Sequence, residues 1–160
     1  MPDLLTHAIV GYLLGVAAVR ADRLPDRYVP VLMVGAVVPD GMKSFVVAGV
    51  DVGVLFGVPY SAWGIHTLGG VAVLAGLGAL TIHRPNRRLG YVALLAGSVS
   101  HLLLDTFVIR VDGVAPPYLF PLTGWLPPSG NLYASSDVWP AVVVLAFAVP
   151  VWLVRRRDVG

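Results

Sequence analysis

The stretch RRLGYVALLAGSVSHLLLDTFVIR, residues 87–110, decides the reading of this chain. It is apolar over a length that suits a bilayer, opens on two Arg and closes on one, yet carries His101 and Asp105 inside it. An imidazole or carboxylate is costly in hydrocarbon, so it persists where it pairs, binds an ion or lines a wet cavity. Four residues apart, the two side chains share one helix face. A membrane helix with a polar site built into it is therefore the starting point.

The rest of the chain agrees. Its 160 residues fit one domain, read as spanning residues 1–160. With 57% hydrophobic and 12% charged residues, and a mean hydropathy of +0.81, its apolar runs are too continuous for a soluble core. Cys is absent, which excludes disulfides and thiolate zinc sites. All nine acids are Asp, which excludes the His-Glu motif of zincin proteases. A net charge of +2 and a pI near 9.2 do not signal nucleic acid, because the Arg residues cluster at the flanks of apolar runs, as topology signals do.

A crossing helix needs about 20 apolar residues. Residues 4–19 form a first span, read as retained rather than as a signal peptide, since Asp3 precedes it and Arg20 follows it. Gly11 and Gly15 within it form a GxxxG pair that marks close helix packing. Residues 28–38 are apolar but short, and Pro39-Asp40-Gly41 reads as a break. Residues 45–58, with a second GxxxG at Gly53 and Gly57, either lie along the interface or dip back into the membrane. Residues 64–82, 89–109 and 138–154 are the remaining spans. Residues 111–137, rich in Pro, Gly and aromatics, read as an ordered loop at headgroup level.

Counting residues 28–40 as one crossing gives an all-α, polytopic transmembrane bundle of about five crossings. With the N-terminus outside and the C-terminus cytoplasmic, Arg20, Arg23, Arg27, Arg84, Arg87, Arg88, Arg155, Arg156 and Arg157 all face the cytoplasm. Lys43 and Arg110 alone stay outside, as the positive-inside rule prefers. The expected location is the cell membrane, with multiple passes.

On that frame five polar residues from four segments gather at the outer leaflet: His7, Asp40, His66, His101 and Asp105. The orientation used Lys and Arg only, so this agreement is independent of it. His83 falls among cytoplasmic arginines and is set aside. Each residue has a plainer reading: a terminal hydrogen bond for His7, a turn or cap for Asp40, a cap for His66 beside Thr67. Their convergence favours a metal or proton site. Imidazole and carboxylate donors suit Zn²⁺ first, with Mn²⁺ and Fe²⁺ also compatible. Asp105 either ligates beside His101 or orients it, and Asp3, four residues before His7, takes the orienting role there.

The runs THAIVGYLLG, GAVVPDG, GIHT, GSVSHLLLDTF and YLFPLTG occur in that order from about Thr6 to Gly124. This ordered set resembles the family of membrane-bound metal-dependent hydrolases, also described as LexA-binding inner-membrane hydrolases. That family is held to be distantly similar to zinc-dependent phospholipase C and the P1-type nucleases. The resemblance implies His7, Asp40, His66, His101 and Asp105 as metal ligands. Where the family commonly reads His-Arg-Gly-x-x-His-Ser, this chain has Ser61 and Ala62 in place of the first His and the Arg. Any ligand or substrate anchor at those two positions does not carry over.

The expectation is thus a membrane hydrolase with one or two divalent metals, acting on a membrane lipid or lipid-linked phosphoester at the outer leaflet. Asp40 or Asp105 is the candidate to accept the proton of water. Lys43 and Arg110, the two outer basic residues, are the candidates to hold phosphate. An ion or proton transporter would need a polar path through the inner halves of the spans, which carry almost no polar residue. A non-catalytic membrane adaptor with a degenerate site is the remaining alternative.

Overall fold

The structure, a computed structural model, describes residues 2–158 and the side chains of 4–157. It is predominantly helical. Helix α1 (Pro2–Arg20) is followed by α2 (Val29–Val37), a 3-10 turn (Val38–Gly41) and the short α3 (Met42–Val47). A hairpin of β1 (Val52–Leu55) and β2 (Val58–Ser61) leads through a second 3-10 turn (Ala62–His66) into α4 (Leu68–Leu80). Helices α5 (Arg87–Asp105) and α6 (Trp139–Asp158) complete the chain. Helix α2 lies between α1 and α5; α4 packs on the far side of α5, and α6 on α1.

Small residues set the central crossing. A Cβ on Gly97 would stand 2.7 Å from the Ala36 amide nitrogen, and one on Gly35 would stand 2.8 Å from Leu94 Cα. The α2 and α5 backbones therefore touch, which only glycine permits at these two positions. Gly11 and Gly15 meet Ala36 and Val29 of α2, the packing role expected of that pair.

Pro39 sits in the 3-10 turn after α2 without ending the helical path. Proline has no N–H to donate to the carbonyl four residues back. That carbonyl, Gly35 O, accepts instead from Ser98 Oγ of α5 at 2.9 Å. The helical path continues through the 3-10 turn, so Asp26–Val47 forms one apolar segment of 22 residues. The break expected at Pro39-Asp40-Gly41 is thus a local tightening.

Two helical segments among the described residues are long and apolar enough to cross a membrane, Asp26–Val47 and Trp139–Arg157. The other expected crossings fall short of that length or of that composition. The run 64–82 spends its start in a 3-10 turn, and α4 begins only after Thr67, whose Oγ1 accepts from Gly70 N at 3.2 Å as an N-cap. Its 13 residues span about 20 Å, against a hydrocarbon core of about 30 Å. In the run 89–109, α5 ends at Asp105. Helix α1 counts as a shorter apolar helix from Leu4 to Arg20.

Residues 45–58 resolve into the end of α3 and most of the hairpin. Gly53 and Gly57 are not a helical pair. Phe56 at φ 51° and Gly57 at φ 79° join Leu55 to Val58, the two positive φ values that a tight two-residue hairpin turn demands.

The two ends of the bundle differ in chemistry. At one end Arg155 pairs with Asp26, and Arg87 donates to Leu80 O at 3.0 Å and Ile82 O at 3.1 Å, closing the C-terminus of α4. His83 is exposed there. The polar residues of interest lie at the other end, where α1 and α4 start and α2 and α5 finish. The loop after α5 packs over that end: Leu68 N donates to Tyr118 O at 2.7 Å and Gly69 N to Phe120 O at 2.8 Å, satisfying first-turn amides of α4.

Gly97→Ala should cost about 2 kcal/mol or more, because the added methyl meets backbone that cannot yield. Gly76→Ala, whose Cβ would find nothing nearer than Tyr91 at 4.0 Å, should hold or gain about 0.5–1 kcal/mol. Thermal unfolding of the two purified variants beside the parent checks the ranking, and equal midpoints would dismiss the tight crossing.

Candidate metal centre

His7, Asp40, His66, His101 and Asp105 come together from four segments, all buried, none more than 7% exposed. Asp105 is their hub. One oxygen, Oδ1, lies 3.2 Å from His7 Nε2. The other, Oδ2, lies 2.8 Å from His66 Nε2 and 3.6 Å from His101 Nε2. Asp40 Oδ1 lies 3.5 Å from His101 Nε2 and 2.6 Å from Lys43 Nζ.

The proton of one ring is fixed by backbone. His101 Nδ1 is 2.8 Å from Ala36 O, and a carbonyl oxygen only accepts, so that Nδ1 carries the proton and donates it. In the neutral ring its Nε2 is then a bare lone pair, which faces Asp40 and Asp105 and makes no hydrogen bond among the described residues. His66 is placed by the shorter of its two contacts: its Nε2 is hydrogen-bonded to Asp105 Oδ2 at 2.8 Å, while its Nδ1 stands 3.4 Å from Pro39 O.

His7 and His101 stack with centroids 3.8 Å apart and planes at 23°, and His66 meets His101 edge-on at 4.9 Å. Ligands about 2.0–2.1 Å from a tetrahedral ion lie about 3.3 Å from one another. The 2.8–3.6 Å separations here bracket that value.

The donor atoms fall into two overlapping triads, His7–His101–Asp105 and Asp40–His66–His101, each with its atoms within 4.8 Å of one another. These buried His and Asp groups can hold a metal ion. His101 is shared by both triads, and His7, which belongs to the first, stacks on it. The Asp3 side chain, expected to orient it, lies outside the described residues.

The basic residues divide. Lys43 is ion-paired with Asp40 one helical turn away. Arg110 donates from Nη2 to the Tyr118 hydroxyl at 3.2 Å, and its backbone N–H donates to Asn131 Oδ1 at 3.0 Å. Tyr118 stands beside His66, ring centroids 5.7 Å apart, so Arg110 reaches the cluster through an aromatic neighbour. Ser61, where the resembling family has His, caps the 3-10 turn by accepting from Trp63 N at 3.3 Å, and Ala62 is buried.

Sequence reasoning misses Tyr118, Ser98 and the carbonyls of Ala36 and Pro39. Ser98 had a signal, since it lies three residues before His101 on the same face of α5. Tyr118 falls in the YLFPLTG run, but nothing in that run tells that it meets His66. No protein-family model, no curated protein and no solved structure matches this chain.

Proposed function

We propose that this chain is a membrane-embedded hydrolase that uses a divalent metal, most naturally zinc, held by His7, His66, His101, Asp40 and Asp105. The observation that carries the reading is the buried His101, whose Nδ1–H donates to the Ala36 carbonyl while its bare Nε2 faces two carboxylates in the midst of two further imidazoles. A metal there would supply Lewis acidity, which makes water a nucleophile near neutral pH. The resemblance to membrane-bound metal-dependent hydrolases supports the reaction class, and the phosphoester substrate rests on the same likeness.

The residues divide the remaining work. Asp105 is committed to three imidazoles and keeps them in register. Asp40 touches a single imidazole and Lys43, so it is the carboxylate that takes a proton from the attacking water. The water oxygen bonds to phosphorus, the ester P–O bond breaks, and Asp40 returns the proton to the departing oxygen. Lys43 beside it offsets negative charge on the phosphoryl oxygens.

Membrane embedding draws support from α6, of whose crossing window only 17% is buried in the bundle, and from the apolar outward faces of α4 and α5. The shorter helices complete a multi-pass bundle with the metal end at the outer leaflet and the Arg end in the cytoplasm.

Purified protein should carry about one or two divalent ions per chain by elemental analysis. His101→Ala or Asp105→Ala should lose the metal and the hydrolysis of a phosphodiester probe, while His83→Ala, exposed at the other end, should keep both. Metal retained in the His101 variant would remove the central claim, and equal losses in all three would trace to destabilisation.

Because the chain has no Cys, a single introduced one reports position cleanly. Val111→Cys should react with an impermeant maleimide on intact cells, and Arg88→Cys only after permeabilisation. The reverse pattern would invert the orientation.

A further inference from the structure

A groove of about 940 Å³ opens on the flank of the bundle beside the metal centre. Leu4 and Ala8 of α1 form one wall, and Met33, Val34 and Val37 of α2 the other. Asp40, Lys43 and Ser44 stand on the same lining. Among the described residues Asp40 and Lys43 are the only charged groups on it, and Asp40 also faces His101 at 3.5 Å. The groove is therefore continuous with the metal centre through a shared carboxylate. Two other clefts on the bundle, one beside Tyr118 and one beside Trp139, contain no charged residue among the described lining.

We infer that this groove holds the acyl chains of an anionic diacyl glycerophospholipid, with its phosphate at Lys43. Apolar walls give a water-soluble substrate nothing to bind, whereas acyl chains entering from the bilayer exchange one apolar surrounding for another and are held by close packing. Allowing about 30 Å³ per small group, the volume takes roughly thirty of them, the size of two acyl chains rather than one. Charge agrees with that occupant: the Lys43 ammonium, held at 2.6 Å by Asp40, meets the anionic phosphate where apolar wall gives way to polar site. The inference rests on the hydrolase reading for the purpose of binding, but the groove stands or falls by occupancy.

The test uses the full chain in lipid nanodiscs with a phosphatidylglycerol carrying a diazirine in one acyl chain, followed by light and peptide mapping. Labelling should concentrate on the peptides bearing Leu4–Ala8 and Met33–Val38, about tenfold above the peptide bearing Phe147, which is exposed on α6. Val34→Trp and Ala8→Phe fill the groove from opposite walls, and each should lower its labelling about tenfold while metal content holds. Lys43→Gln should lower labelling by phosphatidylglycerol and leave labelling by a diazirine diacylglycerol, which lacks phosphate, unchanged. Equal labelling of groove and α6 peptides overturns the inference. So does labelling by a polyprenyl phosphate probe with none by phosphatidylglycerol. Groove labelling in protein that binds no metal upholds the groove and overturns the metal reading alone; loaded protein with an unlabelled groove does the opposite.

Discussion

The proline at the 3-10 turn that follows α2 is the constraint on which the rest depends. A proline on a helical path leaves a carbonyl without its usual donor, and in an apolar bundle that group must find another. Here Ser98 supplies it, tying α2 to α5 one turn before His101. The neighbouring carbonyl of Ala36 then turns the His101 imidazole, with its protonated nitrogen on backbone and its lone pair inward. One backbone irregularity thereby sets helix contact, ring orientation and tautomer together. Glycines 35 and 97 serve the same end, since His101 reaches the Ala36 carbonyl only where the two backbones touch.

Much of the site was legible in the chain because buried polar residues are rare in apolar surroundings. His7, Asp40, His66, His101 and Asp105 stand out by type, and the structure gathers them at one end of the helices. The side-chain roles were less legible. Lys43 and Arg110 look alike as outer cations, yet one is committed to Asp40 and the other to Tyr118. That difference arises from a loop of Pro and Gly whose path has no periodicity to read.

The fold was legible as helical and less so as a count of crossings. Hydropathy measures apolar length without regard to conformation, so a 3-10 turn, a capped start or a hairpin passes as helix. Residues 45–58 show the limit: Val and Phe suit strand as well as membrane helix, and positive φ at Phe56 and Gly57 decides for the hairpin. Conversely Pro39 suggested a stop and proved to be a passage, because neighbouring side chains satisfy what it leaves open.

The cap on α4 has a bearing on the order of assembly. The first amides of that helix find their acceptors in Tyr118 and Phe120, some fifty positions later in the chain. During synthesis, His7, Asp40, His66, His101 and Asp105 have all emerged before those carbonyls exist. His66, at the threshold of α4, gains its anchored surroundings only once the loop has closed over it. The centre is therefore completed late, after the helices that supply it have found one another. A growing chain passes through a stage that owns every donor atom but not yet their arrangement.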